Sequence, residues 1–419
     1  MQNTPKALRL QIGLFGRTNV GKSSFLNLIA GQDVAITSEI PGTTTDVVEK
    51  TMELLPIGPV VFLDTAGLDD ISELAERRIG RTRKIFDRAD VSVLIVEPNV
   101  WTEFEDQVMQ AAQERKQDVI IIVNKIDITA PDQKVIGRVR ERTPHVCFCS
   151  SIDKRKRDTY VNAFKEALIQ CCPDDFLKPP PLISGLLPPK GMAVLITPID
   201  LEAPKGRLIL PQVQTIRDIL DNDAATIVVK EHQYIDVLGQ LKTPPAIVVC
   251  DSQVVSKMVA DTPDHVKCTT FSILFSRLKG ELIEAVRGVR VIDAIKEGDK
   301  ILIAEACSHH AIEDDIGRVK IPRWIKQYLG TDIIIDTYAG RDYPENLSEY
   351  KLIIHCGACM LTRREMLYRI YKAREAGVAI TNYGICIAYV QGVLKRVLSP
   401  FPAALNAFEN NHCYKGVLT

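Results

Sequence analysis

The eight residues Gly16-Arg17-Thr18-Asn19-Val20-Gly21-Lys22-Ser23 constrain this chain more than any others. They fit the pattern GxxxxGK(S/T) and follow an apolar run, Leu8 to Phe15, which predicts a strand, a tight loop and a helix in that order. In such a loop the glycines let consecutive N–H groups curl around phosphates. The following helix offers its positive N-terminal end, and Lys22 supplies a point charge. Ser23 is then placed to ligate Mg²⁺, with Ser24 beside it on the first helical turn. Residues 16–24 are thus expected to bind a nucleoside triphosphate.

Three further motifs follow in order. Pro41-Gly42-Thr43-Thr44-Thr45-Asp46 lies where a switch segment must offer a threonine to the metal, and Thr44 is the candidate. The apolar run Val60 to Leu63 enters Asp64-Thr65-Ala66-Gly67, a DxxG turn expected to set Asp64 near Mg²⁺ and the Gly67 N–H near the γ-phosphate. After the run Val119 to Val123 comes Asn124-Lys125-Ile126-Asp127, an NKxD element. Its Asp127 carboxylate can accept from guanine N1 and the exocyclic amine, a pair that adenine lacks. At about 1.5–3 kcal/mol per charge-assisted bond, guanine is favoured by roughly two to four powers of ten. Ser150 and Ser151, after the run Val146 to Phe148, stand where a base-contacting loop belongs. The expected ligand is GTP or GDP with Mg²⁺, and Lys22, Thr44, Asp64 and Gly67 are the expected catalytic parts.

Residues 1–172 resemble the translation-factor class of GTPases, nearest to the bacterial Era and TrmE type. Leu68 stands where small signalling GTPases carry the glutamine that orients the attacking water, so hydrolysis is expected to be slow. Asn19 occupies the position at which the TrmE-like branch holds K⁺, which makes K⁺ stimulation an expectation; a loop-stabilising side-chain hydrogen bond is the alternative. Thr45 departs from the GTTRD pattern of that branch.

With 419 residues, 46% of them apolar, the chain should hold about three domains. A formal charge of −1 argues against a broad nucleic-acid surface, and the one basic run, Lys154-Arg155-Lys156-Arg157, reads as a solvated helix face. No span reaches the length of a membrane helix and the N-terminus lacks a signal peptide, so a cytoplasmic protein with thiol rather than disulfide cysteines is expected. Continuous apolar strands alternating with helical stretches predict α/β architecture with parallel sheets. Proline-rich residues 173–190 read as a linker between a GTPase domain at 1–172, a small α/β middle domain at 191–264 and a third α/β domain at 265–419.

The third domain carries Cys307-Ser308-His309 after one strand and His355-Cys356-Gly357-Ala358-Cys359 after another. Strand C-termini of an open parallel sheet converge on one crevice, so both clusters are expected at the same edge. Cys307, Cys356 and Cys359 would give three soft ligands, which suits a 4Fe-4S cluster with one exchangeable position. His309, His355 or an acid among Glu313, Asp314 and Asp315 could fill that position. A tetrahedral zinc site accepts the same ligand types. Cys147, Cys149, Cys171, Cys172, Cys268 and Cys413 read as structural thiols.

The order of GTPase, linker, middle domain and CxH…HCxxC unit, with 45 residues between His309 and His355, resembles the FeFe-hydrogenase maturation GTPase family HydF over nearly the whole chain. That resemblance implies that Cys307, Cys356 and Cys359 hold the cluster. It further implies a homodimer built through residues 191–264, a di-iron precursor as transient cargo, and two radical-SAM hydrogenase maturases and apo FeFe-hydrogenase as partners. The implied activity is that of a scaffold with a GTP switch. The competing expectation is an RNA- or ribosome-associated assembly GTPase with a zinc-structured C-terminal domain; a redox enzyme ranks behind both because no flavin or nicotinamide fingerprint is present.

Overall fold

The structure, a computed structural model, describes residues 5–31, 48–64, 84–173, 176, 180–198, 208–306, 315–340, 343–344 and 346–410. Thr44, Thr45, Gly67, Leu68, Cys307, His309, Glu313, Asp314 and Cys413 lie outside the described residues. The chain divides into two compact units, Met1–Pro179 and Pro180–Thr419. Among the described residues no helix is long and apolar enough to cross a membrane.

The first unit is a six-stranded sheet in the order β2-β3-β1-β4-β5-β6. Its strands are β1 (Leu10–Phe15), β2 (Val48–Leu54), β3 (Gly58–Asp64), β4 (Val91–Val96), β5 (Val119–Val123) and β6 (Val146–Phe148). Only β2 runs antiparallel, paired with β3 so that Val48 faces Asp64. Alternation along each strand fills two cores. Leu10, Ile12 and Leu14 face one side with Phe62, Val93 and Ile122, beneath α1 (Lys22–Ala30) and α4 (Arg157–Cys171). Phe15, Leu63, Leu94 and Ile121 face the other, against α2 (Glu103–Glu114) and α3 (Gln133–Arg142). Of the basic run, Lys154, Arg155 and Lys156 are exposed as read. Arg157 behaves differently. Its guanidinium donates to Leu28 O at 2.9 Å and Ile29 O at 3.2 Å, satisfying carbonyls at the C-terminal end of α1.

The second unit holds two four-stranded parallel sheets. The first, in the order β10-β9-β7-β8, uses β7 (Met192–Ile196), β8 (Ala225–Val229), β9 (Ile247–Cys250) and β10 (Lys267–Thr270). The second, in the order β12-β11-β13-β14, uses β11 (Lys300–Ala304), β12 (Ile334–Tyr338), β13 (Leu352–His355) and β14 (Ala379–Asn382). Around them pack α5 (Leu210–Asp221), α6 (Tyr234–Gln240), α7 (Val255–Asp261), α8 (Phe271–Lys279), α9 (Leu282–Val289), α10 (Ile321–Leu329), α11 (Arg363–Glu375), α12 (Tyr383–Val390), α13 (Leu394–Leu398) and α14 (Pro402–Glu409). One continuous core runs from Val194 and Val248 of the first sheet to Ile301, Ile303, Leu352 and Ile354 of the second, while Leu302 and Ile353 point to a separate core beneath α11. Helical periodicity runs through residues 271–284, yet the chain breaks at Gly280 into α8 and α9. α9 then lies so close to β14 that a Cβ on Gly288 would sit 2.1 Å from Ile380 O.

Candidate functional sites

The phosphate loop leaves β1 at Phe15 and enters α1 at Lys22. Asn19 at φ 63° and Gly21 at φ 95° take left-handed conformations, the turns that curl main-chain N–H groups into an anion-binding concavity. Gly21 is required twice over, since a Cβ there would also meet Asn124 Nδ2 at 2.3 Å. Lys22 is buried and donates through Nζ to Gly16 O at 2.8 Å and Arg17 O at 3.1 Å, which holds its charge over the loop. Thr18, Asn19, Ser23 and Ser24 are exposed. Arg17 donates through Nε to Glu105 Oε1 at 2.8 Å, and Glu105 in turn caps α2 by accepting from the Thr102 N–H at 2.7 Å.

Asn124 ties three motifs together. Its Nδ2 donates to Val20 O at 2.9 Å, and its Oδ1 accepts from the Ser151 N–H at 3.0 Å and Oγ at 2.8 Å. Burial pushes the Cys149 thiol up to about 12, so it stays protonated and donates to the same oxygen at 3.5 Å. Lys125 pairs with Glu97, which also lies 4.0 Å from Arg17, and Asp127 is exposed on the turn beyond. Ser150 is buried next to Ser151. Asp64, fully buried at the end of β3, lies 3.8 Å from Lys50 Nζ on β2. Sequence inspection missed Lys50, because no local motif announces a contact set by antiparallel register.

In the second unit β11 and β13 are neighbours, with Ala304 opposite His355. The chain passes from β11 to β12 on one side and from β13 to β14 on the other, so their C-terminal ends form a topological switch point, where open sheets leave a crevice. The Cys356 N–H donates to Ala304 O at 2.9 Å, and Cys356 Sγ accepts from the Ala306 N–H at 3.1 Å. Burial raises the Cys356 thiol to about 11, against the opposing pull of N–H groups from Ala358 and Ala306. Burial also raises Cys359, with Lys279 opposing it. Lys279 reaches this loop from α8, and burial lowers it to about 8 while Cys359, Glu365 and Cys356 act the other way.

His355 is held as a strut. Arg369 can only donate, so its contact at 3.0 Å makes Nε2 an acceptor, and the Nδ1–H is left to donate to Cys356 O at 2.9 Å. Both ring nitrogens are engaged and the ring is fully buried. Asp315 likewise has a local role, accepting from the Arg318 N–H at 2.8 Å to cap the helical turn Ile316–Lys320. Among the described residues no three His, Cys, Asp or Glu side chains form a metal-sized group. Cys356 and Cys359 offer two sulfur ligands from one loop, and a backbone N–H aimed at the Cys356 sulfur stabilises the thiolate form that an iron–sulfur cluster binds, so these two residues fit part of such a site.

A mostly parallel sheet with a phosphate loop after β1 and an NKxD element after β5 defines a P-loop GTPase, here joined to a second α/β unit with a CxxC loop at its switch point. Family models agree along the chain: residues 11–125 match the 50S ribosome-binding GTPase family, 182–280 the hydrogen maturase F dimerization domain, and 283–400 the hydrogen maturase F tetramerization domain. The chain belongs to the hydrogen maturase F (HydF) family. Its first unit is a GTPase domain, for which GTP, GDP and Mg²⁺ are the ligands, and its second contains the two oligomerization domains.

Among curated proteins, the tRNA modification GTPase MnmE of Nitrosospira multiformis is 40% identical over 118 residues, 28% of this chain and 26% of that one. GTPase Der of Persephonella marina is 36% identical over 138 residues, 32% of this chain and 31% of that one. The chain thus spans less than a third of the length of these curated relatives. Among solved structures, the G domain of the T. maritima FeoB iron transporter aligns at 21% identity over 39% of this chain and 98% of that one, with a TM-score of 0.29. Era in complex with MgGDPNP and a 16S ribosomal RNA fragment aligns at 22% identity over 39% of this chain and 57% of that one, with a TM-score of 0.31.

Proposed function

We propose that the protein is a GTP-controlled iron–sulfur scaffold that receives a di-iron precursor from radical-SAM maturases and transfers it to apo FeFe-hydrogenase. Cys307, Cys356 and Cys359 would hold a 4Fe-4S cluster, with His309, His355 or an acid among Glu313, Asp314 and Asp315 a candidate for the fourth position. The observation that carries this reading is the Ala306 N–H on Cys356 Sγ at 3.1 Å, since Ala306 is the chain neighbour of Cys307. It supports bringing the two sequence-distant cysteine motifs to one crevice. Bound there, a cluster would supply an iron with an exchangeable position to which cargo attaches.

In the first unit Ser23, Thr44 and Asp64 would hold Mg²⁺, residues 16–24 the phosphates, and Asp127 with the Ser150-Ser151 loop the guanine base. The Gly67 N–H would face the γ-phosphate and Asn19 would hold K⁺. Slow hydrolysis would then bias partner docking through the segments around Thr44 and Gly67. The working form is a cytoplasmic homodimer joined through the middle domain, with the unit built on β11 to β14 as the cluster domain. The test is anaerobic purification followed by mixing with apo-hydrogenase. A brown protein with broad absorption near roughly 400 nm, bound sulfide, and hydrogen evolution that Cys307→Ser abolishes is the expected result. A colourless zinc protein, or activation indifferent to that substitution, overturns the reading.

A further inference from the structure

Lys279 closes α8 within the segment matched by the dimerization model, yet its side chain serves a loop about 80 residues away. We propose that Lys279 is the positioning residue of the Cys356–Cys359 loop, shaping its backbone for metal and placing a positive charge beneath it. This rests on the cluster reading above.

An ammonium has three donors and no acceptor. Three carbonyls meet this one: Ala358 O at 3.3 Å, Cys359 O at 3.2 Å and Leu361 O at 2.6 Å. Lys279 is only 3% exposed, so these charge-assisted bonds lie in a low-dielectric setting where such bonds are strongest. The loop needs the help, because Ala358 sits at φ 52°, a left-handed conformation costing about 1–2 kcal/mol for a residue with a Cβ. Drawing the carbonyls of 358, 359 and 361 to one point turns the N–H groups of Cys359, Met360 and Thr362 the other way, and those of Cys359 and Met360 favour a thiolate at Cys359. The stitching runs in both directions. Arg363, just past the loop, donates to Leu278 O at 2.8 Å and Gly280 O at 3.4 Å, the two residues flanking Lys279. Along this seam a narrow crevice opens between Ser276 and Glu284 on one side and Cys356 and Thr381 on the other. Thr381 Oγ1 is buried there without a hydrogen-bond partner among the described residues.

A fixed cation beside the cluster favours its more negative, reduced form, and a pinned loop slows the loss of iron. The test uses full-length protein, reconstituted anaerobically with iron and sulfide, as wild type, Lys279→Met, Lys279→Arg and Arg363→Gln. Lys279→Met should lose iron to a chelator at least roughly tenfold faster, the worth of even one of its three charge-assisted bonds, and its reduction potential should fall. Lys279→Arg should recover the potential. Arg363→Gln should speed iron loss with the potential unchanged, and it decides the matter should Lys279→Met not fold. Wild-type potential and iron retention in Lys279→Met, or wild-type retention in Arg363→Gln when Lys279→Met is unfolded, overturns the inference. A wild type that takes up no cluster overturns the scaffold reading instead.

Discussion

Asn124 Nδ2 donates to the carbonyl of Val20 at 2.9 Å, joining the NKxD element to the phosphate loop across 104 positions of chain. The same side chain accepts from Ser151, so one amide fixes the loops expected to grip the phosphates and the base. Affinity for nucleotide therefore depends on a residue whose polar atoms are all spent inside the protein.

Asn124→Ala removes one donor and the acceptor of three further bonds, of which the thiol's at 3.5 Å is weak. At roughly 1 kcal/mol net each, about 2–3 kcal/mol of binding energy is lost, or a 30- to 150-fold weaker Kd for GDP by order of magnitude. Titration with a fluorescent GDP analogue measures this. An unchanged Kd would show that the loops hold their shape unaided.

Ser23 is exposed on the first turn of α1, whereas the cysteine loop belongs to the other compact unit. Ser23→Ala should weaken Mg²⁺-GTP binding at least roughly tenfold, the worth of one charge-assisted contact, and leave iron and sulfide content as in wild type. Calorimetry with GTP and a colorimetric iron assay on one preparation decide it. Loss of both properties together would mean that the two sites are not separable.

Asn19 is exposed in the phosphate loop at φ 63°, with its side chain outside the network that Asn124 organises. If it serves a cation, GTP hydrolysis in K⁺ should exceed that in Na⁺ severalfold, and Asn19→Ala should level the two rates. Equal rates in wild type would return Asn19 to a purely local role.

Much of the first unit was legible because its chemistry is written in contiguous motifs: a phosphate loop, DxxG and NKxD each announce a local backbone shape. What escaped were contacts made across the fold. Lys50 meets Asp64 only through the register of β2 on β3, and Lys279 meets Cys359 only after α8 has packed beside the CxxC loop. The partners that occupy both ring nitrogens of His355 were hidden too, because they include Arg369, fourteen positions on, whose reach depends on the packing of α11. The break at Gly280 was hidden as well, since residues 271–284 keep helical periodicity on both sides of it.

That strut also makes a pH-dependent contribution. Burial, and then the Arg369 guanidinium, hold His355 down at about 3 against its ordinary 6.5. As pH falls below 6.5 the unfolded chain takes up a proton that the folded protein refuses until about pH 3. The stability due to the neutral ring is therefore complete above pH 6.5 and is lost progressively between 6.5 and 3, with a slope approaching about 1.4 kcal/mol per pH unit. Urea unfolding of the metal-free protein at several pH values between these limits should show that decline. His355→Gln cannot titrate there, so it should be less stable than wild type at neutral pH yet lose stability more slowly on acidification. Carboxylates contribute alike to both proteins and cancel in the comparison. Parallel pH profiles for the two would show that His355 is not the group taking the proton.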